Sequence, residues 1–351
     1  MSDGLPPSRF RLGFLTHLEG PLPPPALFRG MVELFVAAEQ LGFEVGWVAQ
    51  HHFASGRNGP GAAASPLLFL AAVAERTSRL RLGTAVITVP LESPLRLAED
   101  AATLDVLSGG RVELGIGSGY DETAFEAFGA SFESRRRATS DGIALLDRAF
   151  NDGVFGAAGH SLHPRAPGLA HRVWQGIFSD EGARFAAEAG SHLLLNRAAY
   201  GFETRTDLVQ RPWAERYLEH WRADPVKAGR TPRIGLSRLI VPAADRAEAR
   251  AILGPGVMQA TATMVRNGRF PAGLDLDAAL DRFHAFYGHP DEIVEALSGE
   301  QVLPLATDLL CQVNPGVPTI AQTLRMLELI ATRIAPALGW RPPAPAHPVL
   351  E

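Results

Sequence analysis

Short apolar runs rich in β-branched and aromatic residues recur along the chain, each followed by a longer amphipathic stretch. Eight such runs read as strands: residues 10–15, 45–49, 80–88, 111–117, 172–178, 192–196, 234–241 and 307–313. They alternate too little for a sheet with one wet face, as expected of parallel strands covered by helices. Between them the period lengthens. Leu27, Met31, Leu34, Ala38 and Leu41 fall on one helical face, and Gly42 supplies the stop. Ser65-Pro66 and Ser93-Pro94 each set a capping hydroxyl ahead of a proline at the first helical position. The second of these helices closes at Ser108-Gly109-Gly110, and Ile320, Leu324, Leu327, Ile330 and Ile334 form a last stripe before Pro336. Eight βα units predict an α/β fold closed into a (β/α)8 TIM barrel; the competing arrangement is a doubly wound open sheet.

A plain barrel of this kind needs ~250 residues, and the chain has 351. The excess falls in a Gly/His/Pro-rich stretch before strand five (153–168) and in another before strand eight (266–289). Excursions of that length serve as lids or substrate loops. Residues 1–8 are expected to form a flexible N-terminus, 9–339 a single barrel domain, and 340–351 a proline-rich tail lying as a surface strap.

Composition narrows the picture further. Hydrophobic residues make up 46% and charged ones 20%, which provides a sizeable core and excludes wholesale disorder. A net charge of −5 gives no basic footprint for nucleic acid or an anionic membrane. The one cysteine, Cys311, excludes a disulfide framework or multi-cysteine cluster and reads as a buried structural thiol. With no long apolar span and no secretory leader pattern, a cytoplasmic location is expected.

In a barrel the reactive groups belong at the carboxyl ends of the strands. There the chain carries Thr16-His17, Gln50-His51-His52-Phe53, Gly117-Ser118-Gly119-Tyr120, Ser179-Asp180 and Asn196-Arg197. His51 can face the mouth as an acid/base group or a donor to a cofactor; alternatively both histidines only hydrogen-bond at a strand–loop junction. Strand alternation is expected to point His52 away. No metal site is expected: adjacent histidines diverge, and His160, His163 and His171 lack an obvious carboxylate partner. The glycine run after strand four fails the dinucleotide fingerprint, since Tyr120 stands where its third glycine belongs. It fails the nucleophile elbow too, because Ile116 precedes Ser118 by two. What remains is a turn with free N–H groups and a hydroxyl, able to hold a phosphate. Ser179 opens a helix directly after strand five, either as a second anion-friendly turn or as an ordinary cap.

Several runs resemble the bacterial luciferase-like flavin monooxygenases. They are Gly46-Trp47-Val48-Ala49-Gln50-His51-His52-Phe53, the stretch 82–90 with 93–100, the stretch 108–117, and Gly288-His289-Pro290-Asp291-Glu292. They keep the family's order and spacing over about residues 9–339. The resemblance implies a TIM barrel that binds reduced FMN at its mouth, supplied by a separate flavin reductase. Oxygen adds to give a flavin C4a-hydroperoxide, which oxygenates a small organic substrate. It also implies His51 as the catalytic histidine, a homodimer built on helix 66–74 and its successor, and a non-proline cis peptide at Ala85–Val86 beside the flavin. The phosphate falls near the loops after strands four and five, and Gly117, Ser118, Gly119, Tyr120, Ser179 and Asn196 are expected as cofactor residues, with Arg136 helping to hold the phosphate. Gln50 stands where the family usually has an acid, and Gly117-Ser118 where luciferase has a cysteine and an arginine. The alternatives are a deazaflavin-dependent hydride-transfer enzyme of the same fold and a non-catalytic flavin-binding protein.

Overall fold

The computed structural model describes residues 9–53 and 63–343. Within them ten strands make one sheet: β1 (Arg11–Thr16), β2 (Val45–Val48), β3 (Arg81–Thr84), β4 (Ile87–Thr88), β5 (Val112–Gly117), β6 (Val173–Ile177), β7 (His192–Leu195), β8 (Ile234–Pro242), β9 (Ala285–Gly288) and β10 (Asp308–Gln312). Every pairing is parallel, and β10 joins both β1 and β8. The eight strands β1, β2, β3, β5, β6, β7, β8 and β10 therefore close into a (β/α)8 barrel, and the open-sheet alternative is excluded.

Two strands depart from the expected set. The run 80–88 is not continuous but breaks between β3 and β4. The excursion before the last barrel strand contains β9, which pairs with β8 from Leu239↔Ala285 to Pro242↔Gly288. β8 runs beyond the end of β10, whose Gln312 lies opposite Leu239. β9 takes the edge that would otherwise be left unpaired there.

Helix Pro24–Gln40 buries Leu27, Met31, Leu34 and Ala38 as its spacing predicts. The helices at Pro66–Ala74 and Pro94–Leu107 start where expected, but neither Ser65 nor Ser93 makes a side-chain cap bond. The last stripe holds at Leu327, Ile330 and Ile334, which are buried, while Leu324 is 39% exposed and Met326 is buried beside them. The helix Ile320–Leu329 then widens into a π-type turn at Ile330–Ile334, which changes the face. Trp340, expected in the surface tail, is buried and donates to Glu44 Oε1 at 3.2 Å. The rest of that tail from 344, and residues 1–8, lie outside the described residues.

Inside the barrel Leu15, Trp47, Ala49, Trp174, Leu194 and Leu310 form one apolar layer, with the two tryptophan rings edge to face at 5.4 Å. The amino-terminal end beneath it is sealed by charge. Buried Glu113 accepts from Arg81 Nε at 2.5 Å, Trp174 Nε1 at 2.6 Å and Arg233 Nη1 at 3.1 Å. Asp308 pairs with Arg233 at 2.6 Å and Arg11 at 3.1 Å. Buried carboxylates are tolerable here because each is met by more than one donor. The opposite, carboxyl end is left to carry chemistry.

Candidate active site at the carboxyl ends of the strands

The break between β3 and β4 shapes one side of the mouth. Gly83 pairs with Glu113 and Ile87 with Ile116, so one chain advances four residues while β5 advances three. That is a β-bulge, the usual device for re-aiming a side chain beside a site. Within it the Ala85–Val86 peptide is cis, as the family resemblance implies. The Thr84 hydroxyl bridges the gap, donating to Gly115 O at 2.8 Å and accepting from Gly115 N at 2.9 Å. Only glycine fits at 115, where a Cβ would fall 1.8 Å from Thr84 O. Val86 is thereby laid over Gly117 and Gly176; a Cβ on either would come within 2.8 or 3.0 Å of its methyls. Ala85 and Val86 pack on the apolar layer of the two tryptophans and form a shelf.

Gln50 ties this shelf to β2. Its Oε1 accepts from Thr88 N at 2.7 Å and its Nε2 donates to Glu92 Oε1 at 2.9 Å. The amide is thus spent on Thr88, a neighbouring carboxylate and, at 3.3 Å, Ala64 O.

The two anion-friendly turns stand side by side, because β5 and β6 pair through Ile116↔Gln175. Ser118 and Gly119 follow β5, Gly119 with φ 73°, and exposed Tyr120 comes next. Ser179 caps helix Asp180–Glu188, its Oγ accepting from Gly182 N at 3.1 Å. Arg136 is exposed and stands 3.8 Å from Glu181 in the first turn of that helix.

The other half of the mouth is built from β1, β2, β7, β8 and β10. His17 Nδ1 and His51 Nε2 share a hydrogen bond of 2.8 Å, with the rings stacked at 4.9 Å. Burial, helped by the Arg197 charge, pushes His51 down to about 4; burial, His51 and Arg197 hold His17 well below its ordinary value. Both rings are neutral at pH 7, so one donates and the other accepts. Arg197 follows β7 and donates from Nη1 to Gln312 Oε1 at 2.9 Å. Gln312 also touches His17 and donates to Ser237 Oγ at 2.5 Å. Arg197 Nε is buried without a partner.

Asn196 lies in this second half, beside Arg197. Its Oδ1 accepts from Arg197 N at 2.7 Å and its backbone oxygen accepts from Gln210 Nε2 at 2.7 Å. It shapes the turn that aims Arg197. His52 does not point away. β2 ends at Val48, so alternation has lapsed by residue 52, and both histidines line one cavity with Gln50, Tyr120 and Asp121. The His52 ring rests against Phe128 at 4.8 Å, its Nε2 buried and unpartnered.

Sequence reasoning passed over Arg197 and Gln312 as site residues. Arg197 was visible as a polar strand end; Gln312 gained its place only when β10 closed the barrel. Cys311 is buried, and burial pushes its thiol up. His160, His163 and His171 are exposed. Among the described residues, Asp207, His284 and Glu300 bring donor atoms within 4.8 Å of one another. Their carboxylates are already paired, Asp207 with Arg205 and Glu300 with Arg238.

The family model for luciferase-like monooxygenases matches residues 9–303. Over 132 residues the chain is 39% identical to 4-hydroxyprotoasukamycin monooxygenase of Streptomyces nodosus subsp. asukaensis, covering 38% of this chain and 34% of that one. Over 92 residues it is 44% identical to an F420-dependent glucose-6-phosphate dehydrogenase of Amycolatopsis mediterranei, covering 26% and 27%. The chain spans about half or less of the length of these curated relatives (52% of an uncharacterised Sinorhizobium fredii protein). The crystal structure of monooxygenase RslO1 from Streptomyces bottropensis superposes with a TM-score of 0.75 at 25% identity, covering 94% of this chain and 100% of that one. The oxygenating constituent of 3,6-diketocamphane monooxygenase from Pseudomonas putida, solved with FMN, shares the fold with a TM-score of 0.70 at 18% identity, covering 93% and 98%. With a family model spanning most of its length and the closed parallel barrel in place, the chain belongs to the luciferase-like monooxygenases.

Proposed function

We propose that this protein is an FMN-dependent monooxygenase, taking reduced FMN from a separate flavin reductase and using O2 to oxygenate a small organic substrate. The observation that carries the reading is the division of the mouth. One half offers a flat shelf at Ala85–Val86 over Gly117 and Gly176, bordered by the Ser118–Tyr120 and Ser179 turns. The facing half offers a neutral histidine pair and a guanidinium.

The residues present fit a flavin. Bare glycines at 117 and 176 let Val86 seat the shelf on the barrel, and His52 Nε2 and Tyr200 Oη are buried polar atoms without partners. In this reading Ser118, Gly119, Tyr120 and Ser179 hold the phosphate with the helix N-terminus, helped by Arg136. Ala85 and Val86 support the ring system. The bound, reduced flavin supplies oxygen activation, while the protein supplies orientation and exclusion of water. His51 holds or moves a proton at its imidazole nitrogen, and His17 keeps that ring in place. The exposed leucines of helices Pro66–Ala74 and Pro94–Leu107 support a homodimer.

The deazaflavin-using relative supports a second reading, hydride transfer without oxygen. Reconstitution with FMN and a flavin reductase, followed by oxygen uptake across a panel of small organic substrates, separates the two. Substrate-dependent uptake with an oxygenated product is expected. Tight binding of the deazaflavin with no affinity for FMN would replace the proposal by the second reading.

A further inference from the structure

Arg197 is a half-buried guanidinium with one edge left open, whereas half-buried Arg111, which also meets no carboxylate, spends its donors on Ser108 O, Thr77 Oγ1, Leu80 O and Ala74 O. Arg172 meets Asp105 at 2.7 Å, Arg233 meets Asp308 at 2.6 Å, and Arg238 meets Glu300 at 3.1 Å. Arg197 meets no carboxylate within ion-pair distance among the described residues; its nearest partner is the neutral Gln312 oxygen. Its Nε–H is buried and unpartnered. A buried guanidinium edge left open costs free energy until an acceptor arrives, and an anion satisfies it best.

The surroundings hold that edge ready. Asn196 Oδ1 fixes the turn, Gln312 fixes one end of the fork, and Ser237 fixes Gln312. The Phe283 ring lies 5.7 Å from the guanidinium carbon. His17 and His51, both neutral, add no competing positive charge. Glu19 is the acid that senses Arg197, but its carboxylate accepts from Asn314 Nδ2 at 3.0 Å, and burial raises its pKa. The phosphate turns lie on β5 and β6, and Arg197 sits beyond them on β7, beside the histidine pair.

We infer that Arg197 is the anchor of a subsite for an anionic oxygen, a carboxylate or an ionised phenol or enol, held beside the His17–His51 pair. The inference deepens the proposed function, and rests on it, only in naming that anion's bearer as the substrate.

The test needs no turnover. Benzoate and its neutral analogue benzamide are titrated calorimetrically into the full-length protein, with and without FMN. A charge-assisted bond to Arg197 should make benzoate bind roughly 10- to 100-fold tighter than benzamide. Arg197→Met should abolish that preference and Arg197→Lys should keep part of it, while FMN affinity relative to riboflavin stays unchanged in both. Arg197→Gln carries the test if Arg197→Met fails to fold. Failure of benzoate to bind, equal binding of the two probes, or a preference surviving in Arg197→Met overturns the inference. So does a selective loss of FMN over riboflavin in Arg197→Met, which would assign the arginine to the phosphate. If benzoate preference stands and FMN does not bind at all, the subsite survives and the flavin reading falls.

Discussion

Burial keeps the His51 ring neutral. A ring whose pKa has fallen to about 4 is neutral across the physiological range, and its 2.8 Å bond to His17 fixes which nitrogen faces the mouth. Positioned acid–base groups contribute about 10²–10⁴-fold. His51→Ala should therefore fold and bind flavin, yet form less product per flavin oxidised by a factor in that range. The missing reducing equivalents should appear as hydrogen peroxide, and product yield equal to wild type would remove His51 from the chemistry. Gln50 invites a second experiment. Gln50→Glu keeps the acceptor for Thr88 N but sets a carboxylate against Glu92 and loses the donated bond. A loss of about 1–3 kcal/mol is expected for an unmade buried bond, read by urea unfolding and largely restored by adding Glu92→Gln. No rescue by the second change would mean the pair does not couple. His17, His51 and Asn196 were legible because each ends an apolar run. The role of Gln50 was not, since its partners Thr88 and Glu92 lie 38 and 42 residues away, on the segment that follows the neighbouring strand.

At the scale of elements, the sequence conveys strands better than their interruptions. Residues 80–88 read as one strand because Leu, Val, Ile and Thr all favour extended backbone. The bulge is made by register against β5, which no local pattern reports. β9 escaped for the same reason: four residues paired to the overhanging end of β8 give too short a signal. The glycine-rich turn was legible, and its use can be tested through the phosphate alone. Ser118→Ala and Ser179→Ala should each weaken FMN by a charge-assisted bond, roughly 1.5–3 kcal/mol, while riboflavin affinity stays the same. Ser179 also caps its helix through Gly182 N. Its variant should therefore lower the melting temperature as well, which Ser118→Ala should not. Equal losses for FMN and riboflavin would move the phosphate to other residues.

At the scale of the whole molecule the barrel is polarised, with an ion cluster closing one end and neutral histidines lining the other. Eight of the ten strands were foreseen because barrel closure demands apolar runs at regular spacing; the charged floor was not, since Arg11, Arg81, Glu113, Arg233 and Asp308 meet only in three dimensions. Buried histidines make stability depend on pH. His192 lies between Trp174 and Trp221, bonded to His171 O at 3.0 Å, and burial pushes it down to about 4. Its unfolded form takes up a proton near pH 6.5, so its contribution is complete above that value and lost as pH falls toward 4. His192→Phe should flatten the stability curve there by up to about one proton, ~1.4 kcal/mol per pH unit, and an unchanged slope would show the ring titrating normally. The outer surface supplies the last expectation. Leu68 is 75% exposed and Leu107 62%, on adjacent helices, and Leu95 and Val106 of the second helix are exposed with them. An apolar face of this kind marks a contact with another chain, and helix Pro66–Ala74 is apolar all round, which a barrel helix facing only water has no reason to be. Light scattering at micromolar concentration should give twice the chain mass. Leu68→Glu with Leu107→Glu should halve it while leaving flavin affinity intact, because neither residue lines the cavity of the histidines. A wild-type protein that is monomeric under those conditions would defeat the homodimer.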